Sequence, residues 1–162
     1  MYKLSKERLA HLNIHFVNSQ DGGSIFYKDV FASSIELLNY INSNNPSEII
    51  FQLNGRETHV FNCEHLGYIG NTGIASRKEV DSNSIVKENR NGFMVEVALV
   101  SELQVTNTFC VVIEKEGVDL NIITSFPGPY APSFPYNGQN ESDYQLSEKF
   151  WNTHVLLRVK DV

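Results

Sequence analysis

The stretch FMVEVALVSELQVTNTFCVVIEKEGVDLNIITS, residues 93–125, decides the fold. Three runs in it, 93–100, 106–114 and 120–125, are dense in Val, Ile, Phe and Thr. Branched and flat side chains of this kind suit a pleated, half-buried surface. Lys115-Glu116-Gly117 makes a tight connection between the last two runs, and strands joined so closely pair antiparallel. The expectation is a meander in which the three runs are neighbours in one antiparallel sheet.

Upstream, Leu4, Leu9 and Leu12 lie among charges, which predicts a short amphipathic helix within residues 3–12. Residues 15–28 hold Asp21-Gly22-Gly23 between two apolar pieces, a hairpin or wide-loop signature. Val30, Phe31, Ile35, Leu38 and Ile41 have helical spacing, so residues 29–44 read as a helix with Asp29 as N-cap. The polar stretch NSNNPS ends it. Residues 48–62 carry two apolar runs around Asn54-Gly55, the strongest hairpin signal in the chain. Residues 63–90 lose periodicity and read as a long loop, or loops around a short helix. After a proline-rich loop, residues 142–156 read as a helix capped by Ser142.

Helices early, a meander in the middle and one late helix make an α+β fold: an antiparallel β-meander sheet packed with N-terminal helices and one C-terminal helix. With no internal repeat and no linker, residues 1–162 read as a single domain. Its expected core contains Ile35, Leu38, Ile50, Val97, Val111, Ile113, Ile122, Phe150 and Trp151.

Composition narrows the function classes. Hydrophobic residues are 41% and charged residues 20%, which is globular. Net charge is −6, the wrong sign for binding nucleic acid over the whole surface. A local cationic cleft stays open, because Arg56, Arg77, Lys78, Lys87 and Arg90 fall in the middle third. No apolar run approaches the ~20 residues of a membrane span. The start, MYKLSKERLAHL, lacks the apolar centre of a signal peptide, so a cytoplasmic location is expected. Cys63 and Cys110 sit in apolar or strand-like runs and read as reduced, buried thiols, with a reactive Cys63 between His59 and His65 as the alternative.

Three constellations carry candidate chemistry. The first is Arg56, Glu57, Thr58, His59, Glu64 and His65. Alternation on a strand would set Glu57 and His59 on one face and Arg56 and Thr58 on the other. A His–Glu pair is an oriented base, and an arginine nearby stabilises an anionic transition state. Either His59 or His65 could be that base. Exposed polar residues beside a hairpin turn are the plainer reading. The spacing of His59, Cys63 and His65 matches no zinc arrangement, so no metal and no cofactor is expected.

The second constellation is GYIGNTG, with Gly67, Gly70 and Gly73. It reads as turn glycine, or as a backbone anion nest backed by Arg77 and Lys78. The third is NIITSFPGPYAPSFPY, residues 121–136. Thr124 and Ser125 end a strand, and four of the chain's five prolines stiffen the loop after it. Tyr130 and Tyr136 could stack on a substrate, and the loop looks like one wall of a site. His154 on the last helix is a further candidate. No Gly-x-Ser-x-Gly elbow supports serine hydrolase chemistry.

The segment Asn121–Gly128, NIITSFPG, resembles the terminal strand of the metal-independent nuclease superfamily that joins barnase, EndoU, the nuclease colicins and RelE. That resemblance implies one or two helices followed by a four-stranded antiparallel sheet, and cleavage of RNA through the ribose 2′-OH. It matches Thr124 and Ser125 to the terminal hydroxyl position, and His59 or His65 to the upstream histidine. The expected function is thus a toxin- or phage-type RNase, with catalytic His59, His65, Arg56, Thr124 and Ser125. Tyr130, Tyr136, Arg77, Gly70 and Gly73 would bind substrate. Two alternatives stand beside it: an acidic protein-binding or inhibitor module using loop 126–136, and a structural or interaction domain without chemistry. The expected partner is RNA or a protein, not a membrane.

Overall fold

The computed structural model describes residues 1–16, 24–52, 55–90 and 93–160. In chain order the elements are β1 (Tyr2–Lys3), α1 (Lys6–Leu12), β2 (Ile25–Phe26), α2 (Ser34–Ser43), β3 (Glu48–Phe51) and β4 (Arg56–Asn62). Then come β5 (Gly70–Thr72), β6 (Ile74–Ser76), β7 (Ile85–Arg90), β8 (Phe93–Val100), β9 (Gln104–Thr106), β10 (Thr108–Glu116), β11 (Asp119–Pro127), α3 (Glu141–Thr153) and β12 (His154–Val159). The fold is α+β. Asp21-Gly22-Gly23 and Asn54 lie outside the described residues.

Helix starts follow the local caps. Ser5 accepts from the Arg8 N–H to open α1. α2 begins after Ser33, not Asp29. The Ser33 hydroxyl accepts from the Glu36 N–H while the Glu36 carboxylate accepts from the Ala32 N–H. This reciprocal cap satisfies two otherwise orphaned donors, which Asp29 could not do. α3 is capped by Asn140 rather than Ser142. It stops at Thr153, because the chain turns extended at His154 and alternates buried Val155 and Leu157 as β12. His154 is therefore a strand residue.

A five-stranded sheet has the order β1-β11-β10-β4-β3, built from two hairpins and a short parallel strand at one edge. The β10–β11 connection is Gly117-Val118, with Gly117 at φ +62°, as a two-residue hairpin turn requires. A second sheet has the order β6-β12-β8-β7 and a third β2-β5-β9. The meander expectation holds for β10 and β11 but not for residues 93–100. β8 lies in the second sheet, between β7 and the parallel β12. The chain after it is diverted, since β9 pairs with β5 and cannot return β10 alongside β8. Val97 and Ala98, adjacent residues on opposite faces, are both fully buried, which marks β8 as a covered central strand. Residues 63–90, expected as loop, hold β5, β6 and β7. β5 and β6 are three residues each, too short to show alternation, and β7, IVKENR, is polar after its first two residues.

The five-stranded sheet buries one face under α1 and α2. Val111, Ile113, Ile122, Phe61 and Phe109 meet Leu12, Leu37 and Ile41 there. Of the expected core, Val97, Val111, Ile113 and Ile122 are buried. Leu38, Ile50, Phe150 and Trp151 are half-buried. Ile35 is 60% exposed, because with the true start at Ser34 the inward stripe is Ser34, Leu37 and Ile41. Among the described residues no helix is long and apolar enough to cross a membrane.

Candidate functional site

Register on the five-stranded sheet sorts the candidate residues by face. His59 lies opposite Val111, and Val111 opposite Ser125. Directly opposed residues share a face, so all three point into the helix-covered core. The next pair, Val112 opposite Thr124, points the other way. A bulge places Ile123 between these pairings, since Ile113 is opposite Ile122 and Val112 opposite Thr124. An inserted residue reverses the alternation beyond it. Ile122 and Ser125 therefore face the core while Thr124 and Phe126 face outward.

On that outward face lies a cleft of about 530 Å³, within the range of about 300–1,000 Å³ usual for small-ligand sites. Its floor is Val112, Ile123, Thr124 and Phe126. One wall is the first helical segment, through His11, Ile14 and His15. The opposite wall is the proline loop, Ala131 to Phe134, backed by Trp151. Gln52 and Arg56 stand at one end, Gly73 and Ile74 at the other. Phe134 and Trp151 stack at 4.2 Å, and the indole N–H donates to the carbonyls of Pro132 and Ser133. The loop is thus clamped by the end of α3. Gly128 sets its exit: φ is +115°, and a Cβ there would sit 2.4 Å from Thr72 Oγ1.

His15 has a defined role in this geometry. Its Nδ1 is 2.9 Å from the Ser24 carbonyl. A carbonyl only accepts, so Nδ1 carries the proton and Nε2 keeps its lone pair. Burial lowers the His15 pKa, against the opposing pull of the Ser24 carbonyl, and the charge of His11 lowers it further. The two imidazoles lie 6.5 Å apart, edge to face. Arg56 brings a guanidinium whose Nε donates to the Glu114 carboxylate at 3.1 Å.

No family model matches this chain, and no curated protein does. Among solved structures it is similar to a conserved hypothetical protein from Toxoplasma gondii ME49, solved at 2.35 Å. Identity is 11% over 83% of this chain and 87% of that one, with a TM-score of 0.43.

Of the candidate residues, Arg56, Thr124 and Gly73 line the cleft. The others do not converge on it. His59 and Glu57 do form the expected pair, 2.8 Å apart, but it is buried on the core face. Glu57 also meets Lys115 at 2.8 Å, and His59 meets the Tyr2 hydroxyl at 2.5 Å. The carboxylate accepts from Nε2–H, so Nδ1 accepts from Tyr2. Burial alone would raise the Glu57 pKa, but hydrogen bonds from His59 and Lys115 and the Lys115 charge bring it below the usual value. Ser125 is buried and donates to the Cys110 carbonyl at 2.8 Å. His65 is exposed on a 3-10 turn, Glu64–Leu66, and stacks on Tyr40 at 6.1 Å.

Tyr130 packs edge-on against Phe150 and lines a separate shallow depression with Gln52, Asp143 and Leu146. Tyr136 is exposed, beyond the cleft wall. Arg77 pairs with Glu96 and donates to the Trp151 carbonyl at 3.1 Å. It lines another depression behind Trp151, with His154. Gly70 is a close-approach glycine: a Cβ would meet the Ile25 carbonyl at 2.4 Å. The Gly73 N–H donates to Ser24 Oγ at 3.0 Å, so it is committed inside the protein rather than to an anion nest. Cys63 and Cys110 are buried free thiols, and burial pushes Cys110 up to about 12. Among the described residues no three His, Cys, Asp or Glu side chains are grouped to hold a metal ion.

His11 and His15 were not among the sequence candidates. Their four-residue spacing puts them on one side of a helical turn, which was the available signal.

Proposed function

We propose that the cleft is a metal-independent RNA-cleaving site in which His15 is the general base. The observation that carries this reading is the fixed His15 tautomer: its Nε2 lone pair shares one cleft with Thr124, Arg56 and a second imidazole. His15 Nε2 takes the proton of a ribose 2′-OH, and the 2′-oxygen bonds to the adjacent phosphorus. The bond from phosphorus to the 5′-oxygen breaks as His11 protonates that oxygen. The products are a 2′,3′-cyclic phosphate and a 5′-hydroxyl, with no co-reactant. Arg56 and the Thr124 hydroxyl face the charge that develops on the phosphoryl oxygens. Phe126, Phe134 and Trp151 offer faces for a base, an interaction of about 1–3 kcal/mol per base.

The test is incubation of the purified protein with a fluorescent single-stranded RNA in EDTA. Cleavage is expected, with 2′,3′-cyclic phosphate ends, and His15→Ala should reduce it about 10²–10⁴-fold, the usual contribution of general acid–base catalysis. RNA left intact by folded wild type sinks the reading. Rates equal in wild type and His15→Ala would remove His15 from it. The inhibitor alternative draws on the acidic balance, net charge −6. It gains if intact RNA is accompanied by a complex with a basic protein that breaks on changing Tyr136, the exposed ring of the loop.

A further inference from the structure

Among the described residues β3 pairs with β4 alone and forms the edge of the five-stranded sheet. The Gln52 N–H donates to the Arg56 carbonyl at 2.9 Å. In an antiparallel ladder, alternate residues direct their backbone groups toward and away from the neighbour. Ile50, two residues earlier, therefore bonds toward β4, and the N–H and C=O of Ile49 and Phe51 point outward. The two residues are 42% and 74% exposed. Natural edge strands are blunted by lysine, proline or a bulge. Residues 48–52, Glu-Ile-Ile-Phe-Gln, contain neither residue, and their register with β4 is unbroken.

We propose that two copies of this chain pair edge to edge through β3, antiparallel about a two-fold axis at Ile50. Ile49 then lies opposite Phe51 of the second copy, twice over by symmetry, and Ile50 lies opposite its own equivalent. Glu48, the one charged residue of the strand, lies opposite uncharged Gln52. No like charges meet, although the chain carries −6. This self-complementarity is the argument for a second copy over a different protein, since an isologous interface requires one patch to match itself. The outward backbone groups of Ile49 and Phe51 pair across the axis, joining two five-stranded sheets into one. The contact can extend onto α3, whose exposed Leu146 lines the same depression as Phe51 and Gln52.

The test is sedimentation velocity over a concentration series, together with mild oxidation of Ile50→Cys. Opposed residues at a non-hydrogen-bonded position bring side chains within disulfide reach, and the native thiols are buried. Wild type should sediment as a dimer at high concentration, and Ile50→Cys should form a disulfide-linked dimer. Ile49→Lys with Phe51→Lys, both on exposed positions, should leave a folded monomer and abolish the cross-link. A monomeric wild type overturns the proposal. So does a dimer that survives the double lysine change, or one that Ile50→Cys fails to cross-link.

Discussion

The Tyr2 hydroxyl donates to Nδ1 of His59 across 2.5 Å inside the core, fifty-seven residues away in sequence. This bond ties the start of the chain to the centre of the five-stranded sheet. Tyr2→Phe would leave a buried acceptor without its donor, at a cost of about 1–3 kcal/mol. His65→Ala, on an exposed turn, should change stability by no more than about 0.5 kcal/mol. Urea denaturation of both variants checks this, and equal effects would contradict the burial of one histidine and the exposure of the other.

Thr124 and Ser125 are neighbours with opposite duties. Ser125→Ala removes a buried hydrogen bond to the Cys110 carbonyl and should cost about 0.5–1.5 kcal/mol, leaving the RNA cleavage proposed for the cleft unchanged at temperatures where it stays folded. Thr124→Val keeps the shape of the cleft floor and should lower cleavage while barely moving the melting temperature. A reversal of the two phenotypes would place the bulge elsewhere in the strand.

The His15 ring should titrate below its ordinary 6.5, because burial and the charge of His11 disfavour the imidazolium. A proton NMR titration measures this directly, and His11→Ala should move the midpoint back up. The linked effect on stability has a definite sign. A histidine whose folded pKa is lowered contributes stability above 6.5, and that contribution is lost as pH falls through the lowered value. A midpoint at 6.5 would show that His15 is exposed, and one above it that the ring has a carboxylate partner.

Gly128 has no room for a methyl group. At φ +115°, with Thr72 Oγ1 2.4 Å from a Cβ, Gly128→Ala combines backbone strain with a clash. The expected cost is about 2–5 kcal/mol, from about 1–2 for the disfavoured dihedral and about 1–3 for overpacking. Differential scanning calorimetry measures it. Gly138→Ala, at φ +89° with nothing within 4 Å, bears the dihedral cost alone and serves as the comparison.

The strands and their pairing in residues 108–127 were legible because β-branched density and a glycine turn are local signals. The Glu57–His59 pair was legible for the same reason, since alternation fixes which side chains share a face. Alternation already sets Thr124 and Ser125 on opposite faces; what it could not supply was the extra residue at Ile123, which turns Ser125 rather than Thr124 into the core. Nor could it show depth: His59 reads as accessible until β1, at the far end of the chain from the meander, lays Tyr2 over it. β8 was misplaced because its parallel partner, β12, lies far downstream and hides in the tail of a helical pattern. His11 and His15 went unread because the wall facing them, loop 131–134, is brought there by β11, near the other end of the sequence.

Trp151 is the only tryptophan in the chain, and its ring stands between the cleft and the depression that holds Arg77 and His154. The protein thus carries a built-in optical reporter at the wall of its candidate site. Any occupant that displaces water from the indole or breaks its stack on Phe134 will shift the emission spectrum without labelling or mutation. One fluorometer cell can rank nucleotides, oligonucleotides and peptides as occupants before any catalytic assay is set up.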